Sequence, residues 1–267
     1  MLKYFDIDST KIACLMGKSD SDVHKKSLIF IHGSGGDHTA WLTQYAQFKE
    51  KYNIAAIDLP GHGRSEGSGE SHVKDYSVWI NKLLEALGLN KPILVGHSLG
   101  AATALQFAID HPEKIAGIAC LGGGVKMPVN PFMLEFLKTS PAEMPAEIID
   151  LMCKFSLAKE NRSRLSAVLQ KNVSQSKVNI LYGDLSACNE LDLTGDAEKI
   201  TVPALIICGA EDKMTPPDLS RELAAKIKNS SLEIITSAGH MVMLERPDEF
   251  KMSLDKFAAS ISTAVSG

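Results

Sequence analysis

The segment Pro92–Leu105, with the sequence Pro-Ile-Leu-Val-Gly-His-Ser-Leu-Gly-Ala-Ala-Thr-Ala-Leu, constrains the fold of this chain more than any other. The apolar run Ile93–Val95 is typical of a buried strand, and the small residues after Gly100 favour a helix. Between them, Gly-His-Ser-Leu-Gly matches the G-x-S-x-G pattern of a sharp strand-to-helix turn. Such a turn lifts its serine out of the strand end and sets it at the positive end of the new helix. The pattern therefore predicts Ser98 as a nucleophile.

A second match to the same pattern, Gly63-Arg64-Ser65-Glu66-Gly67, tests how much the context matters. It lies in a loop rich in glycine and serine, with no strand running into it and no helix starting in it. The context therefore favours Ser98 over Ser65. The alternative for Ser98 is an ordinary helix N-cap, a position that serine commonly occupies.

A serine nucleophile needs a base, and the base needs an acid that orients it. His240 follows the strand-like run Leu232–Ile235, and Asp212 follows the apolar run Ala204–Ile207. Because the carboxyl ends of parallel strands meet at one edge of a sheet, Ser98, Asp212 and His240 can converge there. Their order along the chain is the one expected for a Ser-Asp-His triad on a strand-to-helix turn.

Each partner has a rival. Glu211 precedes Asp212 directly and could be the acid, while Asp212 could be a turn former before Pro216. The chain contains eight histidines. Among them, His32 and His97 compete with His240 for the role of base, because His97 adjoins Ser98 and His32 begins a glycine-rich loop.

That loop, His32-Gly33-Ser34-Gly35-Gly36, follows the buried-strand run Leu28–Ile31. Its glycines allow backbone N–H groups to approach a substrate oxygen, and the N–H of Leu99, directly after the nucleophile, supplies a second donor. A phosphate-binding loop is the alternative. It is disfavoured because neither G-x-x-x-x-G-K-[ST] nor G-x-G-x-x-G occurs in the loop.

The rest of the chain alternates short apolar runs with helical patterns, which predicts a parallel sheet with helices on both faces. We predict strands near residues 2–6, 11–16, 28–31, 53–57, 92–95, 115–121, 203–208 and 232–236. The alternation stops after Gly124 and resumes near Val202. Within this interval we predict helices at 131–138, 145–155, 160–172 and 175–183.

Taken together, the motifs resemble those of the α/β-hydrolase fold family in its capped form. The matching segments are Ile31–Gly36, Asp58–Ser65, Val95–Gly100, Gly209–Asp212 and Gly239–His240 with Glu245–Pro247. The resemblance implies a mostly parallel, eight-stranded sheet built from residues 1–124 and 196–267. Residues 125–195 would form a helical cap.

The resemblance also implies roles. Ser98 would be the nucleophile, His240 the base and Asp212 the acid, with the backbone N–H groups of Ser34 and Leu99 forming an oxyanion hole. Haloalkane dehalogenases and epoxide hydrolases share the fold but use an aspartate nucleophile, so Ser98 argues against both. Asp58 and His62 are expected to be structural.

A cap would roof the substrate pocket with apolar side chains. We select Met127, Phe136, Met214 and Met241 as pocket residues, because three of them flank the catalytic edge and thioether side chains adapt to the shape of a ligand. Further apolar side chains of residues 125–195 could line the pocket but are expected mostly to form the core of the cap: Phe132, Met133, Met144, Met152 and Phe155.

Composition excludes several functional classes. The net charge is −4 and no basic cluster occurs, which disfavours nucleic acid as a partner. Five scattered cysteines indicate thiols in a reducing compartment rather than disulfides or a zinc site. The first residues lack the apolar core of a signal peptide, and no apolar run is long enough to span a membrane. We therefore expect a cytoplasmic protein.

These features predict a carboxylesterase-like serine hydrolase that cleaves an ester-like bond of a small, apolar molecule and needs no metal or cofactor. Thioester, lactone, amide or C–C bond hydrolysis and cofactor-free haloperoxidase activity would use the same triad. A protein of a different class, a hydrolase-like sensor that binds a small molecule and signals to a partner, is the further alternative. The natural substrate and the oligomeric state stay open.

Overall fold

The computed structural model describes residues 1–17, 22, 24–139 and 144–261. Eight strands form one sheet in the order β1-β2-β4-β3-β5-β6-β7-β8. Their bounds are β1 (Leu2–Ile7), β2 (Thr10–Met16), β3 (Ser27–Ile31), β4 (Asn53–Ile57), β5 (Ile93–His97), β6 (Gly117–Leu121), β7 (Ala204–Gly209) and β8 (Ser230–Ile235). The six strands from β4 to β8 in this order pair in parallel, while β1 pairs with β2, and β2 with β4, in antiparallel register. The predicted mostly parallel, eight-stranded sheet is confirmed.

Helices cover both faces of the sheet. Their bounds are α1 (Leu42–Phe48), α2 (Val73–Leu87), α3 (Leu99–Asp110), α4 (Pro131–Thr139), α5 (Ala146–Ser156), α6 (Arg162–Gln175), α7 (Val178–Glu190), α8 (Pro217–Lys226), α9 (Val242–Glu245) and α10 (Pro247–Ser260). The apolar residues of α2, α3 and α8 pack on one face, and those of α1 and α10 pack on the other.

The alternation of side chains along the central strands builds these two cores. In β3, Ile29 and Ile31 belong to the core under α3, while Leu28 and Phe30 belong to the core under α10. Every residue of β3 is buried, as expected for a strand covered on both faces. This double burial explains why the central strands are continuous apolar runs. Their parallel pairing places their carboxyl ends at one edge of the sheet.

Between β6 and β7 the chain leaves the sheet and forms α4–α7, which we call the helical segment. The bounds of α4 and α5 agree with the predicted helices to within one residue, but α7 runs to Glu190, well beyond its predicted end at 183. Gly183, at the predicted end, lies inside α7. A Cβ at Gly183 would lie 2.9 Å from the carbonyl oxygen of Glu70, so the glycine permits close packing on the core.

Parts of the predicted units lie outside the described residues, namely 140–143 of the predicted cap and 18–21, 23 and 262–267 of the predicted core. Within the described part of the chain, no helix has both the length and the apolar character needed to cross a bilayer. All five cysteine thiols are free and buried.

Candidate active site

Ser98 lies between the last residue of β5 and the first residue of α3. Its backbone has a φ of 52°, which is uncommon for any residue except glycine. The Ser98 N–H donates to the Leu121 carbonyl of β6 at 2.8 Å, which ties the turn to the neighbouring strand. Ser98 thus has a strained backbone conformation that neighbouring contacts hold in place, directly before a helix, as expected for the turn that the sequence predicts.

The two glycines of the motif are required by close packing of backbone on backbone. A Cβ at Gly96 would lie 2.0 Å from the carbonyl oxygen of Gly100. A Cβ at Gly100 would lie 2.3 Å from the carbonyl oxygen of Ile31 in β3. The helix α3 can therefore start this close to β3 and β5 only with glycine at both positions.

Asp212 and His240 form a buried hydrogen-bonded pair beyond the ends of β7 and β8. The Nδ1–H of His240 donates to Asp212 Oδ2 at 2.8 Å. Asp212 Oδ1 accepts from the N–H groups of Met214 and Thr215 at 2.8 and 2.9 Å, and the Thr215 hydroxyl donates to Asp212 Oδ2 at 2.9 Å. Burial opposes the charge of this carboxyl, but His240 and the donors of Thr215 hold the pKa of Asp212 below its usual range. Asp212 is thus an ionised acceptor that fixes one ring nitrogen of His240. Glu211, its rival in the sequence, has an exposed side chain.

The loop that carries His240 is held from several sides. The Nε2–H of His97 donates to the His240 carbonyl at 3.0 Å, and the His240 N–H donates to the Ser156 carbonyl of α5 at 2.8 Å. Glu245 accepts from the N–H groups of Gly239 and Met241, which flank His240, at 2.8 and 3.2 Å. Its other oxygen accepts from the Ala158 N–H at 2.8 Å and from Asn161 at 3.0 Å. The position of His240 therefore depends on both the sheet and the helical segment.

The two rival histidines have structural partners. Burial, together with the nearby His240, lowers the pKa of His97 to about 3, and burial beside His62 lowers the pKa of His32 to about 4. His32 Nε2 accepts from the Leu59 N–H at 3.0 Å, so this ring joins two loops. Both imidazoles are neutral and engaged, which leaves His240 as the histidine beside Ser98 with a carboxylate partner.

The glycine-rich loop after β3 lies beside Ser98. Ser34, Ser98 and His240 line the same small chamber, of about 100 Å³. The N–H groups of Gly35 and Gly36 are already bonded, to Asp184 Oδ2 at 2.8 Å and to the Gly33 carbonyl at 3.0 Å. Leu99 is the first residue of α3, where a helix leaves its N–H groups without intrahelical partners. The arrangement can therefore direct backbone donors at a group bound to Ser98.

A larger, apolar cavity of about 470 Å³ opens from Ser98 and His240 toward the helical segment. Met127 and Met214 line it, as the sequence predicts, and Met214 and Met241 line the small chamber. The walls come mainly from α4, α5 and the loops before α4 and α8. Four apolar side chains that we expected to form the core of the segment also line this cavity: Phe132, Met133, Met152 and Phe155.

The structure does not place Phe136, the fourth predicted pocket residue, in the lining of either cavity. Its ring packs against the apolar cluster of Leu137, Leu181 and Leu185, and it stacks on Phe132 with 6.3 Å between ring centres. Phe136 shares a face of α4 with Phe132 but stands one turn further along the helix, and the cavity takes only Phe132 and Met133 from α4.

Asp37, His38 and Asp58 are the group among the described residues whose side-chain spacing could suit a metal ion. Asp58 is already saturated, because it accepts from the backbone and Nδ1 of His38 and from the Arg64 N–H. The group therefore acts as a hydrogen-bonded loop anchor. Ser65, the second motif serine, is also engaged, since its hydroxyl donates to the Asp58 carbonyl at 2.7 Å and accepts from the Ala13 N–H at 2.9 Å.

Sequence reasoning missed Thr215 and Asp184 at this site, and it quoted Glu245 within a motif without giving it a role. The roles of Thr215 and Glu245 could not be assigned, because their partners become visible only in the fold. Asp184 carries a signal in the sequence, because it stands on the apolar face of α7 between Leu181 and Leu185. A single carboxylate on an otherwise apolar, buried helix face must find hydrogen-bond donors, because burying it without them costs free energy.

Comparison with known proteins agrees with this geometry. The sequence matches the profile of the alpha/beta hydrolase family over residues 28–251. It is 27% identical over 247 residues to RutD of Escherichia coli, which is named as a candidate carbamate hydrolase, covering 88% of this chain and 91% of that protein. A thermophilic esterase of known structure is 33% identical, with a TM-score of 0.82 and coverage of 98% and 99%. The enol-lactonase of Burkholderia xenovorans is 20% identical, with a TM-score of 0.88 and coverage of 96% and 100%, and supports the fold alone. The chain therefore belongs to the alpha/beta hydrolase family.

Proposed function

We propose that this hydrolase cleaves an ester-like bond of a small, apolar substrate through an acyl-Ser98 intermediate. The observation that carries the proposal is the buried Asp212–His240 pair, with His240 and Ser98 lining the same apolar cavity. The sequence similarity to an esterase of known structure supports the same reaction class.

In the proposed first step, His240 removes the proton of the Ser98 hydroxyl while the serine oxygen bonds to the carbonyl carbon. Asp212 holds the His240 tautomer and stabilises the imidazolium that forms. The N–H groups of Ser34 and Leu99 receive the oxyanion. His240 then returns the proton to the leaving group as the carbon–oxygen bond breaks. A water molecule, deprotonated by His240, hydrolyses the acyl-serine and regenerates Ser98.

We further propose the domain division predicted above, with a core of residues 1–124 and 196–267 and a cap of residues 125–195 that supplies the pocket walls. The apolar lining favours acyl chains or other apolar groups over charged ones. The free cysteines support our proposal of a reducing, cytoplasmic location.

Carbamate hydrolysis is the second candidate, because RutD is similar over most of both chains. Carbamates place nitrogen beside the same carbonyl carbon, so the attack by Ser98 would be shared. A panel of p-nitrophenyl esters of increasing acyl length, run beside matched carbamates and acyl-thioesters, separates these activities by their kcat/KM values.

The nucleophile is tested by Ser98→Ala, which is expected to abolish turnover and leave the melting temperature within a few degrees of the parent. A fluorophosphonate probe is expected to label Ser98 in the parent. Ser65→Ala is the matched control, and it should keep both activity and labelling. Labelling at Ser65, or turnover by a folded Ser98→Ala protein, would overturn the proposal.

A further inference from the structure

Asp184 is a fully buried carboxylate that joins the helical segment to three parts of the core. Its Oδ2 accepts from the N–H of Gly35, in the glycine-rich loop, and from Nε2 of His62, both at 2.8 Å. Its Oδ1 accepts from the hydroxyl of Tyr76 in α2 at 2.5 Å. The three donors fix the orientation of this buried carboxylate, because each one points at a different lone pair of its oxygens.

Both ring nitrogens of His62 face an acceptor oxygen. Its Nδ1 faces the Pro60 carbonyl at 3.0 Å, and its Nε2 faces Asp184 Oδ2 at 2.8 Å. Burial opposes the charge of the ring, but Asp184 raises the pKa of His62 above its ordinary value. Asp184 and His62 therefore form a buried hydrogen-bonded pair, and removal of one partner leaves the other buried without it.

Gly35 is held from the helical segment on both of its backbone groups. Asp184 receives its N–H, and the hydroxyl of Ser176, directly after α6, donates to its carbonyl at 2.5 Å. Gly35 has a φ of +63°, so the loop turns sharply at this residue. The peptide group that Asp184 binds is the one that joins Ser34 to Gly35. Its orientation limits the backbone angles of Ser34, the residue whose N–H we assign to the oxyanion hole.

From this geometry we propose that Asp184 is a positioning residue, which sets the oxyanion donor of Ser34 by holding the Ser34–Gly35 peptide from the helical segment. The inference rests on the proposed function, since it presumes acyl transfer at Ser98. It goes beyond that function because stabilisation of the transition state would then require α7 to be packed on the core with Asp184 bonded to Gly35. The helical segment would then act on the reaction itself as well as on the shape of the pocket.

The alternative is that Asp184 merely fastens the helical segment to the core. The two readings separate because Tyr76→Phe removes the hydrogen bond to Oδ1 and leaves the bonds from Gly35 and His62, which share Oδ2. Asp184→Ala removes all three. In Asp184→Asn, the amide oxygen can still accept from Gly35, and the amide nitrogen can donate to the Tyr76 oxygen.

The test measures kcat and KM for p-nitrophenyl acetate, whose acyl group is too short to depend on the apolar cavity, with a thermal melt for each variant. A misplaced donor costs up to roughly 100-fold, so Asp184→Ala is expected to lose about 10- to 100-fold in kcat with KM within about threefold. The affinity for a trifluoromethyl ketone, which forms an oxyanion at the same place, should fall by the same factor. Asp184→Asn should restore most of the rate. Tyr76→Phe should stay within about threefold of the parent.

Loss of rate in Asp184→Ala no greater than in Tyr76→Phe, or no recovery in Asp184→Asn, would overturn the inference. If Asp184→Ala does not fold, Ser176→Ala decides, since it removes the other bond to Gly35. It is expected to lower kcat without raising KM, and Ser174→Ala, whose hydroxyl bonds only to its own helix, should not. Equal rates in the two serine variants would contradict the proposal.

An inactive parent, or an active Ser98→Ala, overturns the proposed function and this inference together. If the parent is active and Ser98→Ala is inactive, the proposed function stands, and the variants of Asp184 test this inference alone.

Discussion

The sheet and the helical segment differ in how they bury their side chains and in what they give the site. All five residues of β5 are buried, and α3 buries nine of its twelve residues. In α4, a single residue is buried, and several large apolar side chains of α4 and α5 stay exposed at the cavity mouth. The sheet edge carries the groups to which we assign the chemistry, while α4 and α5 carry apolar walls. Changes at the sheet edge should therefore alter the rate for every substrate, and changes in the walls of α4 and α5 should alter the choice among substrates.

The largest effect is expected at the sheet edge, from Asp212→Asn. An amide can donate to His240 and so stabilise the wrong tautomer, which lowers kcat by about 10⁴-fold in comparable triads. Glu211→Gln is the matched control, because Glu211 is exposed and should cost less than about threefold. Steady-state kinetics on one ester decide between them. A larger loss from the Glu211 substitution would exchange the two roles.

The second effect is on stability and compares glycines in the two regions. Gly96→Ala would force a Cβ to within 2.0 Å of the Gly100 carbonyl oxygen, so we expect destabilisation above about 3 kcal/mol or failure to fold. Gly183→Ala in α7 meets the Glu70 carbonyl oxygen at 2.9 Å and should cost about 1–3 kcal/mol. Gly195→Ala, with open space around it, is the control. If thermal melts show a larger loss of stability for Gly183→Ala than for Gly96→Ala, the expected difference between the sheet and the helical segment is contradicted.

Glu245 links the two regions, and its substitution tests whether they act as one. All four of its partners are donors, so the amide nitrogen of Glu245→Gln would face an N–H group. Leaving such buried donors unpaired costs about 1–3 kcal/mol, and the His240 loop should shift. We expect a lower melting temperature and a kcat reduced about tenfold or more. Glu249→Gln, at an exposed site in the next helix, should change neither. A normal kcat in Glu245→Gln would show that the loop keeps its shape without this contact.

The lining of the apolar cavity tests what the loop before α4 and the helical segment contribute to substrate choice. Met127→Ala enlarges the cavity and should shift the preference toward longer acyl chains, by about tenfold in the ratio of kcat/KM values for long and short esters. Phe136→Ala removes a packing residue instead, so it should lower stability and leave the preference unchanged. A panel of p-nitrophenyl esters measured on both folded variants gives the answer. A profile for Met127→Ala equal to that of the parent would remove Met127 from the pocket.

The strands could be predicted from sequence because double burial leaves a direct trace. Runs such as Leu28–Ile31 and Ala204–Ile207 are apolar at every position, since both faces of the strand are covered. The arrangement at the sheet edge follows from the same rule, because parallel strands align their carboxyl ends. The structure accordingly brings Ser98, Asp212 and His240 together, while their catalytic roles stay predictions.

The helical segment could be predicted less well, and the reasons are physical. The predicted end of α7 at 183 is wrong, because the helix continues through Gly183, which packs against the Glu70 carbonyl oxygen, over a hundred residues away in sequence. The sequence pattern of an amphipathic helix shows which residues are apolar, but not which of them line a cavity and which contact a neighbouring helix. Glu245 accepts mainly from backbone N–H groups, and Asp184 accepts one of its three hydrogen bonds from the backbone of Gly35; a sequence pattern does not show which backbone groups a side chain will bind.

The smallest effect is expected from the hydrogen-bonded pair of His38 and Asp58, which joins two loops of the core. His38 donates to the buried Asp58 at 2.8 Å, and this hydrogen bond raises the pKa of His38. Because the folded pKa lies above the unfolded one, the stabilisation is complete below about pH 6.5 and is lost as the pH rises through the folded pKa. His38→Gln should therefore lower the melting temperature at pH 6 by roughly 2–4 °C, and by less at pH 9. His24→Gln, at an exposed site, is the control. Since His38 lines neither the apolar cavity nor the small chamber, the acyl-length profile should not change. An equal loss of stability at both pH values would mean that the packing of the ring, rather than its charge, supports the loop.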